Sequence, residues 1–162
     1  VMGRKSIKEN KTAYQLAREA KNLTREAAED LMTYVSADRI EKIESEKTLP
    51  HPEEILAMAD AYKAPDLCNY YCTHECPIGQ KFIPQVKLKD LSQITLEMVA
   101  SLNAMEKEKN RLIEITVDGK ITDDEMNDFK NIQTRLDEIT IAIESLKLWV
   151  QKAIAEGNLA EE

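Results

Sequence analysis

Three cysteines and a histidine stand closest to chemistry in this chain. Cys68, Cys72 and Cys76 recur every four residues, His74 lies between the last two, and the chain has no other cysteine. Three thiolates and an imidazole would make a tetrahedral zinc set, and three thiolates alone could hold an iron–sulfur cluster. The spacing is neither the paired CxxC of zinc modules nor CxxxCxxC, from which it departs by one residue. The alternative is that Cys68 and Cys72 act as small buried hydrophobes. His74 beside Cys72 or Cys76 could imitate a thiol–base pair, but no third orienting group accompanies it. Asp118-Gly119-Lys120-Ile121 with Glu125 matches the latter half of a calcium loop. Glu114 and Thr116 stand where its first half needs oxygen donors, so a helix-hairpin turn is the plainer reading. There is no glycine-rich phosphate loop and no GxSxG, and the chain is not expected to be an enzyme.

The elements around these residues read as helices throughout. Ala13, Leu16, Ala17 and Ala20 follow the spacing of a core-facing helix, which Asn22 could end in the left-handed conformation. Thr24 is placed to cap a second helix carrying Ala27, Ala28 and Leu31 on one face. Ser36 offers the next cap, before Ile40 and Ile43. Pro52 suits a first helical position, Ile55, Leu56, Ala59 and Tyr62 form an apolar face, and Pro65-Asp66 starts a fifth short helix. With 4 Gly, 2 Phe and no β-branched runs, a sheet is not expected.

Leu23-Thr24, Ala27-Ala28, Leu31, Val35-Ser36, Ile40, Ile43-Glu44 and Pro50 together give LTxxAAxxL, VSxxxIxxIE and a polar stretch closed by proline. This pattern resembles the lambda-repressor/Cro-like helix-turn-helix family of bacterial regulators, the XRE type, over about residues 10–67. The resemblance implies a five-helix domain that binds a double-stranded DNA operator and regulates transcription. It implies Ser36, Ala37, Asp38, Arg39 and Lys42 at the major groove and Arg25 and Lys47 on phosphates. Arg4, Lys5 and Lys8 would make a small basic arm. The rival is a protein-interaction module that keeps this fold without DNA affinity, and a third reading is a cysteine-based metal or redox sensor. Electrostatics separates the first two: DNA binding needs the basic residues on one surface, not dominated by Asp38 and Glu41.

Residues 68–87 form the cysteine segment and a linker, and residues 88–156 change texture. Leu91, Met98, Met105 and Leu112 recur by seven, with Leu102 at an intervening position. Phe129, Leu136, Ile143 and Val150 do the same, interleaved with Ile132, Ile139, Leu146 and Ala153. Two such helices joined by the turn at Gly119 form a long antiparallel hairpin, a coiled coil. Thr122 and Glu125 read as a capping box starting the second. The fold class expected is therefore all-α, in two parts. Ile141, Leu148 and Trp149 lie off the seam, as do Ile94, Val99 and Ile113, and such a stripe calls for a partner: a second copy in a homodimer is the expectation, another partner or the chain's own N-terminal domain the alternative.

The net charge is −8. Residues 1–65 hold 11 basic and 12 acidic side chains, and residues 66–162 hold 11 and 18. The acidic remainder is therefore unsuited to lie along DNA. No stretch approaches the ~20 apolar residues of a membrane span. The odd cysteine count and the lack of a visible signal peptide favour a cytoplasmic protein.

Overall fold

The structure, a computed structural model, describes residues 10–160. The basic arm at Arg4, Lys5 and Lys8 lies outside them. All regular elements among the described residues are helices. The chain divides into two compact units, residues 86–149 and the remainder, so that residues from Val150 on belong with the N-terminal part.

In the first unit, α1 (Ala13–Ala20), α2 (Arg25–Glu29), α3 (Ala37–Glu44), α4 (Pro52–Ala61) and α5 (Asp66–His74) enclose one core. Its members include Tyr14, Ala28, Met32, Val35, Ile40, Ile43, Ile55, Met58, Tyr62 and Leu67. The caps fall where the side chains allow. Thr12 and Thr24 accept from Gln15 N and Ala27 N, and Ser36 from Arg39 N. Each satisfies an amide that has no partner within its helix. Asn22 sits at φ +55°, and Pro52 opens α4.

Two faces differ from the spacing. α1 turns Tyr14, Gln15 and Arg18 inward, while Leu16 is 53% exposed. The cause is a buried ion cluster. Arg18 Nε and Nη2 donate to the Glu44 carboxylate at 2.6 and 2.8 Å, and Arg25 Nε joins at 2.9 Å. Burial depresses the Arg18 pKa, but Glu44 outweighs it and holds the guanidinium above its ordinary value. A charge desolvated this far must face its partner, and that requirement sets the rotation of α1. The second difference is in α2, which stops at Glu29. Leu31 therefore swings out to solvent, and Met32 takes the core place.

Beyond α5 lies an unexpected helix, α6 (Pro77–Phe82), within the stretch read as cysteine segment and linker. Pro77 supplies its first position, and Cys76 Sγ caps it by accepting from Gly79 N at 3.5 Å. Gly79 is buried against α5, where a Cβ would collide with the Cys72 carbonyl.

The second unit is the hairpin of α7 (Leu91–Thr116) and α8 (Met126–Ala155), whose last turns belong to the first unit. Gly119 turns the chain at φ +70°, a conformation that costs a residue with a Cβ. Half of the expected capping box forms: Thr122 N donates to Glu125 Oε2 at 3.0 Å. Arg111 Nε reaches Asp128 Oδ2 at 2.7 Å across the two helices and sets their register. Carried to the far end, that register brings Ile94 level with Ser145, and both are buried.

On α7 Ile94 and Ile115 are buried, with Met98, Ser101, Met105, Glu108 and Leu112 half-buried in the row between them. On α8 Ile132, Ala142, Ser145 and Leu148 are buried, and Ile139, Leu146 and Trp149 are half-buried. Met98, Met105, Leu112, Ile132, Ile139 and Leu146 are thus in the seam as the heptads require. Leu91, Leu102, Leu136 and Ile143 are not, and stand exposed. The seam is rotated from the heptad register, and Ser101 and Ala142 fall within it.

Candidate nucleic-acid interface

α2 and α3 meet as two short helices joined by a turn, with α3 exposed along one side. Ser36 is its N-cap, Ala37 its first residue, and Asp38 follows in the first turn. These three and Lys42 form the leading end and outer face of α3. The hydroxyl of Tyr34, in the turn before, donates to Glu53 O at 2.7 Å and ties that turn to α4.

The basic residues on this surface are held by carboxylates of the same chain. Lys42 Nζ lies 2.6 Å from Asp38 Oδ2, one helical turn back. Lys47 Nζ lies 3.0 Å from Glu41 Oε1. Arg25 leans inward onto Glu44, with about a third of its side chain exposed. The Asp38, Lys42, Glu41 and Lys47 side chains are all solvated, so these pairs exchange readily with other partners.

Arg39 differs in kind. Its Nε and Nη2 donate to both oxygens of Glu54 at 2.6 and 2.8 Å. Nη1 donates to Thr48 Oγ1 at 2.6 Å, and Nη2 also to Leu49 O at 3.0 Å. Glu54 in turn accepts from His51 N at 2.7 Å. The hydrogen bonds from Arg39 hold the Glu54 carboxyl below its ordinary range despite burial, and the same bonds raise Arg39. The fork clasps α3, the loop after it and the start of α4, and its donors point into the protein.

A carboxylate also occupies the start of α3. The Ala37 N–H donates to Glu29 Oε2 at 3.1 Å, so α2 supplies an anion to the positive end of the α3 dipole. Glu29 and Glu54 were not singled out from the sequence. The only signal for Glu54 is its place three residues after His51, the N-cap of α4.

The cysteines fall on α5 and its exit. Cys68 and Cys72 share a face of α5 and are half-buried, and burial pushes both thiols up. Cys76 is used as the cap of α6. His74 stacks on Tyr70 with ring centroids 4.3 Å apart, and its Nδ1 lies 3.0 Å from Tyr70 O. Among the described residues, no group of three or more His, Cys, Asp or Glu is placed to hold a metal ion. The four are near in sequence but are turned to separate tasks.

No helix among the described residues is long and apolar enough to cross a membrane. No curated protein and no solved structure matches the chain. Residues 15–69, covering α1 to the first half of α5, match a family described as a helix-turn-helix domain. The short α2–α3 pair, its caps and its single core agree with that match, and residues 15–69 form a helix-turn-helix domain.

Proposed function

We propose that the chain is a sequence-specific DNA-binding transcription regulator of the XRE type, working as a homodimer on a double-stranded operator in the bacterial cytoplasm. The observation that carries this is the capped α2–α3 pair inside a matched helix-turn-helix domain, with Asp38 and Lys42 exposed on α3. In this reading Ser36, Ala37, Asp38 and Lys42 meet the major groove, and Arg25 and Lys47 hold phosphates on either side. Arg39 reaches a base only by letting go of Glu54, so its part in recognition is conditional on that exchange. The hairpin brings two copies together, and the chain performs no catalysis.

The test is selection from a random DNA library at low and moderate salt. A recovered consensus supports the reading, and Lys47→Ala should lower the salt slope by ~1 while weakening all sequences alike. No binding even at low salt would remove it.

A protein-interaction module on the same fold is the second reading, and one observation favours it. Every basic residue of the interface is paired within the chain, and Glu29 sits on the amide where α3 would greet a phosphate.

A further inference from the structure

The rotation of the hairpin seam leaves a row of large apolar side chains uncovered. On α7 it comprises Val99, Leu102 and Ile113, and on α8 Leu136 and Ile143, each at least two-fifths exposed. Both rows are displaced from the seam in the same rotational sense about their own helix. In an antiparallel pair, rows flanking the seam in the same sense lie on the same side of the hairpin. The five side chains therefore belong to one face.

The stripe expected from the sequence is divided: Val99 and Ile113 belong to this face, and Ile94 is buried. Leu148 is only 4% exposed and Trp149 is half-buried within a single chain, so that pair is already occupied.

We propose that this face docks a second copy of the chain, the two hairpins stacking as a four-helix bundle. The inference rests on the homodimer of the proposed function and assigns its surface. Three observations select a second copy over another partner. First, the hairpin is its own match in length and pattern, as a twofold interface requires. Second, α7 has 26 residues. At 1.5 Å each it is ~39 Å long, and two helices ~10 Å wide offer about 800 Å², which is what one partner of a stable interface needs. Third, the face carries no unbalanced charge. Its lysines, Lys109 and Lys147, are paired to Glu106 at 2.6 Å and Glu144 at 2.8 Å. In a chain of net charge −8 such a neutral face admits an identical copy without repulsion, whereas a basic partner would be drawn elsewhere.

The experiment is sedimentation velocity on the full chain at tens of micromolar. Wild type should be a dimer. Leu102→Glu with Leu136→Glu should raise the dimer dissociation constant at least ~100-fold, because each dimer then buries four carboxylates. Circular dichroism should show the helices retained; should that variant unfold, Ile113→Lys alone is the replacement. Leu96→Glu, exposed but off the row, should leave the dimer intact. A wild-type dimer that survives both the double variant and Ile113→Lys overturns this surface and leaves the homodimer standing. A wild-type monomer overturns both, and DNA selection on the same preparation shows separately whether the regulator reading stands.

Discussion

Single residues in the first unit are arranged around burial of charge. Tyr14 and Glu75 illustrate it outside the interface. The Tyr14 hydroxyl and Glu75 Oε2 are both buried, and neither has a hydrogen-bond partner among the described residues. Burial, then the neighbouring Glu75 charge, raises the Tyr14 pKa, and burial raises Glu75 above the ordinary carboxylate range. The sign of the consequence follows from proton linkage. Below the unfolded pKa of about 4.3 both states hold the proton, and Glu75 costs nothing. As the pH rises toward the higher folded value, the unfolded chain loses its proton first, and stability falls. Glu75→Gln should therefore raise the melting temperature at pH 7, with the gain vanishing below about pH 4. Melting curves across that range would show it, and a variant less stable than wild type at pH 7 would mean that the carboxylate is held by favourable charge instead.

Elements tell where sequence reading works and where it stops. Thr24, Ser36, Pro52 and Gly119 announce their local roles, because capping and turn chemistry depend on one residue and its near neighbours. The core positions Ile40, Ile43, Ile55 and Tyr62 follow from helical spacing alone. The Arg18–Glu44 and Arg39–Glu54 pairs join residues far apart in the chain, and nothing in local spacing reveals them. For the same reason Leu16 reads as core, although a buried arginine claims that side of α1. The hairpin seam is ambiguous in the sequence, since Leu102 fits one heptad register while Ile94 and Ile115 fit another, and it is the second that is buried. At the interface, Arg39 is legible as basic, but its bonds to Glu54 are not. The Arg39–Glu54 clasp makes a prediction with opposed signs. Glu54→Gln should lower stability by ~1.5–3 kcal/mol, as loss of a charge-assisted hydrogen-bond pair does. If the regulator reading holds, the same variant frees Arg39 and should bind DNA more tightly. Urea unfolding and DNA titration measure the two effects, and weaker binding at full occupancy of the folded state would show that the clasp positions α3 rather than restraining Arg39.

At the scale of the whole molecule, the end of α8 belongs with the N-terminal unit although it is far from it in sequence. Lys152 Nζ donates to the carbonyl oxygen of Lys63 at 2.6 Å. Lys63 lies just past α4 in the left-handed region, at φ +51°, where a non-glycine residue is strained and benefits from being held. Ala153, one residue further along α8, is buried. The helix-turn-helix domain is thus completed by residues that follow the hairpin, so its stability depends on the chain having returned. A fragment ending at Lys87 should fold less stably than the same unit in the full protein. Within the intact chain, Lys152→Met should cost about 1 kcal/mol, since its hydrogen bond is solvated. Ala153→Asp should cost more, about 3 kcal/mol, by burying an unpaired carboxylate. Denaturant unfolding of each variant, followed by hydrogen exchange at the amides of α4 and α5, would locate the loss. A fragment ending at Lys87 with the full protein's protection in α4 would show that the returning end of α8 adds nothing to the domain it touches.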